Sequence, residues 1–156
     1  MTASLKKIFY SVCILCFIFC GTFLSTQEEE LPYPPQALLN AAYMGDIELM
    51  ERILKTNCDK DYRDPLGGTA LHVAVFRDNT EAIRLLVRYG FDINAISRYH
   101  GYTPLHYCVW TNSVNSARLL VALNADRNIK DADGYTPLEK ASREGKRDIA
   151  IILARR

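Results

Sequence analysis

Gly67-Gly68-Thr69-Ala70-Leu71-His72-Val73-Ala74-Val75 decides the fold, because its centre, Thr69-Ala70-Leu71-His72, returns. It comes back as Thr103-Pro104-Leu105-His106, then as Thr136-Pro137-Leu138-Glu139. A degraded copy, Gln36-Ala37-Leu38-Leu39, lies one period earlier, so the steps are 33 or 34 residues. Self-similarity at such a period marks a stacked-repeat chain, in which each unit buries its apolar face on its neighbours.

Four units follow, at about 34–66, 67–100, 101–133 and 134–156. The second shows their anatomy. A first helix is predicted over Ala70 to Arg77, a break at Asp78-Asn79, and a second helix over Thr80 to Tyr89. Gly90 stops the second helix, and Phe91-Asp92-Ile93-Asn94 leads out. First helices stop at Gly45, Asp78, Asn112 and Gly145, second helices at Asn57, Gly90 and Asn124. All are Gly, Asn or Asp, the residues that tolerate a left-handed backbone. Ile83, Leu85 and Leu86 are matched by Ala117, Leu119 and Leu120 and by Ala150, Ile152 and Leu153, one apolar stripe per second helix. Helices this short need tertiary packing to hold. The second unit carries one extra residue, expected in an exposed connection around Ala95-Ile96-Ser97-Arg98. Asp59, Asp92 and Asp126 recur once per unit, as turn residues rather than a paired acid and base.

The chain has 156 residues, with 19 Lys plus Arg against 18 Asp plus Glu. A net charge of +1 lacks the basic stripe that nucleic-acid binding needs. Apolar residues concentrate in Ile8 to Leu24, an uncharged run preceded by Lys6 and Lys7 and followed by Glu28, Glu29 and Glu30. Residues 1–26 read first as a secretory signal peptide, with tolerable cuts after Cys20 or Thr26. The alternative is an uncleaved anchor through residues 8–24 that leaves the repeats on the non-cytoplasmic side. Either reading makes the protein exported, secreted or periplasmic in the first case and tethered to a membrane in the second. Residues 27–35, acidic and then proline-rich, form a linker. Cys13, Cys16 and Cys20 lie in the targeting run. Cys58 and Cys108 are expected to be free, with Cys108 at the small buried position held elsewhere by Ala41, Ala74 and Ala141.

The pattern G-x-T-P-L-H-x-A, helix, stop, helix, L-L-x-x-G-A-D-x-N resembles the ankyrin repeat, read here as GGTALHVAV…LLVRYGFDIN, GYTPLHYCV…LLVALNADRN and GYTPLEKAS…IILARR. The resemblance covers about 34–156. It implies an all-α solenoid of stacked helix-turn-helix units with projecting finger loops. It implies that Thr69, Thr103 and Thr136 cap their helices through the hydroxyl, and that His72 and His106 tie neighbouring loops together. The terminal units depart from the pattern. Asn40 and Lys140 replace Val73 and Tyr107, as expected of end units that turn a polar face to water. Ile149, Ile151 and Ile152 are expected to leave an apolar edge near the chain end.

No catalytic, cofactor-binding or metal-ligating set emerges, so the expectation is a non-enzymatic monomer without cofactor that binds a protein partner of unstated identity. In ankyrin repeats the two positions before the first-helix stop vary and face the concave groove. Here the first holds Tyr43, Phe76, Trp110 and Arg143, and the second Met44, Arg77, Thr111 and Glu144. Variable finger positions hold Pro65, Leu66, Tyr99, His100, Tyr102, Ala132, Asp133 and Tyr135. Tyr, Trp, Phe and Arg are the residues enriched in interfaces and hot spots. The expected partner surface is therefore Tyr43, Phe76, Arg77, Trp110, Tyr99, His100, Tyr102 and Tyr135, centred on Trp110. Tyr107 is expected to seal a seam between units. Alternatives are a membrane-anchored adaptor and an inhibitor or immunity-type protein of an exported enzyme.

Overall fold

Eight helices in four antiparallel pairs run through the residues that the computed structural model describes, 33–56 and 58–155. They are α1 (Ala37–Met44), α2 (Ile47–Leu54), α3 (Ala70–Phe76), α4 (Thr80–Arg88), α5 (Pro104–Thr111), α6 (Val114–Ala122), α7 (Pro137–Arg143) and α8 (Arg147–Ala154). Every regular element among these residues is a helix. The apolar run 8–24 expected to act as a targeting segment, its cysteines, most of the expected linker 27–35 and the expected helix stop Asn57 lie outside the described residues. Among those described, no helix is long and apolar enough to cross a membrane.

The helices stack in two rows. First helices pack in the order α1, α3, α5, α7, and second helices in the order α2, α4, α6, α8. Ala41, Ala74, Cys108 and Ala141 are all buried, small enough for helices to pass closely. Leu38, Leu71 and Leu105 fill the space between first helices. Met50 and Ile53, Ile83 and Leu86, Leu119 and Leu120, and Ile152 and Leu153 do the same in the second row. Cys58 and Cys108 are free thiols. Complete burial pushes the Cys108 thiol well above its ordinary pKa, so it packs as a small apolar group.

The stops are built as their residue types require. Gly45, Asp78, Asn112 and Gly145 have φ of 75°, 50°, 58° and 69°, and Gly90 and Asn124 have 81° and 61°. Asp78 does more than turn the chain. Its carboxylate accepts from Ser116 N–H at 2.8 Å, Ser116 Oγ–H at 2.6 Å and Asn115 Nδ2–H at 2.9 Å, all at the start of α6. One unit thus caps the second helix of the next.

Three expectations are corrected. The fingers are closed by paired bonds between Asp64 and Gly68, Ser97 and Tyr102, and Asp131 and Tyr135. The middle pair is one residue wider, so the extra residue lies within 98–101, and Ser97 is buried rather than part of an exposed connection. Lys140 does not face water. It is buried, 2.7 Å from the carboxylate of buried Asp131. Of the terminal isoleucines only Ile151 is exposed, because Ile149 and Ile152 pack into the core.

Candidate functional site

Tyr43, Phe76 and Trp110 occupy the last turns of α1, α3 and α5, so stacking those helices aligns their rings. Tyr43 and Phe76 lie 6.3 Å apart at 21°, and Phe76 and Trp110 lie 6.1 Å apart at 44°. These separations suit offset aromatic packing. All three remain close to half exposed, at 49%, 44% and 49%. The Arg77 guanidinium carbon sits 5.0 Å over the Tyr43 ring, a cation–π contact between neighbouring units.

Behind this ladder stands Tyr107, which is buried and seals a seam between units. It meets Trp110 edge-on at 5.5 Å, His72 at 4.7 Å and Tyr102 at 6.1 Å. Burial, with the nearby Asp64 charge, pushes its phenol up to about 12. Two apolar sockets open along the ladder. One, about 170 Å³, is lined by Tyr43, Asp64, Leu66, Val73, Phe76, Tyr107 and Trp110. The other, about 280 Å³, is lined by Leu66, His100, Tyr102, Tyr107 and Trp110. The first finger contributes Leu66, exposed at its tip.

The fingers are held by the repeated motif. Thr69 N–H donates to His72 Nδ1 at 3.1 Å, and His72 Nε2–H donates to the Tyr102 carbonyl at 3.0 Å. His106 repeats this with Thr103 at 3.2 Å and the Tyr135 carbonyl at 3.0 Å. Each histidine thus ties its helix to the finger of the following unit. The hydroxyls of Thr69 and Thr103 lie 3.0 and 2.9 Å from the ring nitrogen. In the last unit Glu139 takes the ring's place, accepting from Thr136 N–H at 2.8 Å, while Glu139 N–H donates to the Thr136 hydroxyl at 3.3 Å. Burial holds His72 down at about 4 and lowers His106 too, so both rings are neutral struts.

The Tyr102 side of the second socket rests on charge. Lys140 Nζ lies 4.5 Å from the Tyr102 ring centre and donates to Asp131. Desolvation works against the Lys140 ammonium, but its hydrogen bond to Asp131 and the Tyr102 neighbour outweigh it and raise its pKa. Desolvation likewise opposes the Asp131 carboxylate, yet bonds from Lys140 and Tyr135 N–H lower its pKa.

The structure thus gathers Tyr43, Phe76, Arg77, Trp110, His100 and Tyr102 on one surface. Tyr135 stands apart, paired with Arg143, whose guanidinium carbon lies 4.2 Å over its ring. Tyr99, 63% exposed at the tip of the longer finger, lines neither socket. Val73 lines the first socket without being singled out by sequence, and Leu66, which lines both, is named there as a variable finger position but not placed in the expected partner surface. A lone exposed Leu carries no signal by itself. Asp64 is the sole carboxylate in either socket, and its Oδ1 accepts from Gly68 N–H at 2.8 Å. Among the described residues no three His, Cys, Asp or Glu side chains converge as metal ligands. Asp59, Asp92 and Asp126 each accept from the backbone two residues on, at 2.9, 2.8 and 2.8 Å, as turn residues.

Paired short helices, left-handed stops and histidine-tied fingers define a stacked-repeat binding scaffold. Residues 38–131 match the family model for ankyrin repeats in three copies, and the chain belongs to the ankyrin-repeat family. It is 35% identical over 112 residues to protein phosphatase 1 regulatory subunit 27 of Mus musculus, covering 70% of this chain and 72% of that protein. It is 34% identical over 128 residues to the B-cell lymphoma 3 protein homolog of Mus musculus, covering 82% of this chain but 26% of that protein. Identity to the mouse ankyrin repeat and SOCS box protein 6 is 36% over 108 residues, covering 65% of this chain and 25% of that protein. Ankyrin repeats bind protein partners, and this chain is such a module.

Proposed function

We propose that the protein is a non-catalytic adaptor that holds a protein partner on its concave aromatic surface. The observation that carries this is the unbroken Tyr43–Phe76–Trp110 ladder, half exposed and opening into two apolar sockets. Such a surface costs solubility unless a partner covers it. Two aliphatic positions of similar exposure, one lining the sockets and one not, give a matched test. Leu66, 55% exposed, walls both sockets, and Ile151, 53% exposed, lies on α8. Leu66→Glu should weaken capture of the native partner about tenfold or more, a loss of about 1.4 kcal/mol or above. Ile151→Glu should leave capture intact. The reverse result would move the interface off the concave face.

The targeting run supports a second element of the proposal, that the repeats act outside the cytoplasm. An intact mass lacking the first 20 to 26 residues would mark a cleaved leader. A full-length, membrane-bound product would mark a tether, and a full-length soluble one would end the export reading. Similarity to a protein phosphatase 1 regulatory subunit favours an enzyme as the partner, the second reading. In that case the domain would alter the enzyme's turnover at saturating occupancy; unchanged turnover would leave the plain adaptor.

A further inference from the structure

Leu66 divides the concave surface. Together with Tyr107 and Trp110 it lines both sockets, so one apolar wall separates two neighbouring pockets of about 170 and 280 Å³. Each has room for a bulky side chain, and the larger, beside Tyr102 and His100, for an aromatic ring. A single large ligand group would need an open trough. This surface offers two discrete seats.

The charge beside the seats is positive in excess. Arg77 stacks on Tyr43, and among the described residues no carboxylate pairs with it. Arg98 is exposed just beyond Leu66, its backbone N–H bonded to the Gly67 carbonyl at 3.1 Å, and among the described residues it too has no acidic partner. The one carboxylate lining a socket among the described residues, Asp64, accepts from Gly68 N–H and keeps its charge, but the guanidinium groups outnumber it and leave the rim net positive. Lys140, near Tyr102, is neutralised by Asp131, while the Arg63 guanidinium donates to the Gly67 and Ile96 carbonyls. A partner that complements this rim therefore brings carboxylates.

We infer that the site takes an extended acidic segment of a partner protein, seating two bulky apolar side chains three residues apart on either side of Leu66, with a flanking carboxylate on Arg77. The inference rests on the concave face being the docking surface proposed above. The spacing follows from the stack. Packed helices lie roughly 8–10 Å apart, and an extended polyproline-type chain brings residues i and i+3 to the same side roughly 9 Å apart. Aromatic-lined grooves are suited to that conformation, which loses little entropy on binding.

The test uses the full chain and fluorescein-labelled nonapeptides. Each carries one fixed Leu, a Phe placed two, three, four or five residues later, and either Glu or Lys at the flanking position. Fluorescence polarisation should show the three-residue spacing binding about tenfold tighter than the others. Glu should beat Lys about fivefold. Leu66→Ala, an exposed change, should erase the spacing preference and keep the preference for Glu. Arg77→Gln should do the opposite. Equal binding at every spacing, or tighter binding with Lys, would overturn the inference. If no peptide binds while a photo-crosslinker at position 76 still captures a folded partner, the extended-segment inference fails and the docking surface stands. If that crosslinker also captures nothing while the partner is bound, the surface itself is wrong.

Discussion

Acid should loosen the stack well above the pH at which carboxylates protonate, and His72 is the cause. Its ring is fully buried. Nδ1 accepts from Thr69 N–H and Nε2–H donates to the Tyr102 carbonyl, so a proton added at Nδ1 breaks the bond from Thr69 N–H and charges a buried ring. Burial lowers its pKa from 6.5 to about 4. The unfolded chain therefore takes up the proton first. The stability this ring secures is complete above pH 6.5 and is lost as pH falls from there toward 4. The full gap is worth about 3 kcal/mol, of which about 2 kcal/mol is gone by pH 5. His106, also lowered by burial, adds to the loss in the same direction. Asp131 and Glu139 have depressed pKa values, so their contributions fall away only below about 3.8 and 4.5 and leave the upper window to the histidines. With a urea dependence of about 2 kcal/mol per molar, the unfolding midpoint should drop by about 1 M or more between pH 7.5 and 5. His72→Gln provides the control. Glu139 shows that a side chain of this length reaches the threonine N–H, and Gln carries no titrating proton. The variant should be about 1–2 kcal/mol less stable at pH 7.5, having lost ring packing, but its midpoint should fall less steeply with acid. Parallel lines for wild type and variant would refute the reasoning.

Other consequences are equally direct. Lys140→Met strands the buried Asp131 carboxylate and should cost about 2–3 kcal/mol, less than a fully buried pair because Asp133, 3.8 Å away, leaves one side near solvent. Adding Asp131→Asn should recover at least about 1 kcal/mol of that in a double-mutant cycle. Gly67 and Gly134 have φ of 78° and 85°, but a Cβ at Gly67 would lie 2.5 Å from Arg98 Cβ while one at Gly134 meets nothing within 4 Å. Gly134→Ala should therefore cost about 1 kcal/mol of backbone strain, and Gly67→Ala clearly more, with equal losses by urea unfolding counting against the close finger contact. Trp110→Ala should cost about 2–3 kcal/mol, because half of a large aromatic surface is covered, with Tyr107 and Phe76 against the ring. An unaltered melt would show that those contacts do not hold the seam.

The parts of this architecture legible in sequence are those fixed by one residue's own conformational freedom. Gly45, Asp78, Asn112, Gly145, Gly90 and Asn124 announce left-handed stops by type, and the backbone places each there. Helix ends differ by one residue, with Arg77 and Tyr89 acting as caps rather than helix members. What escaped depends on pairs distant in sequence. Ser97 closes its finger where the other units use Asp64 and Asp131, so the register, and with it the extra residue within 98–101, is visible only in the hydrogen bonds. Lys140 reads as a solvent-facing end residue until Asp131, nine positions upstream, is seen beneath it. The ladder's alignment was readable from the repeat period. The division of the surface by Leu66 was not, because it requires knowing where a finger tip lies relative to two helices.

The central claim, that partners dock on the aromatic concave face, is tested most directly by site-specific photo-crosslinking. A benzophenone amino acid is placed at Phe76, in the ladder, and in parallel at Ile151, on α8, each in the full-length chain bound to its native partner. Position 76 should yield a crosslinked partner and position 151 none. A crosslink from position 151 with none from position 76 would contradict the claim.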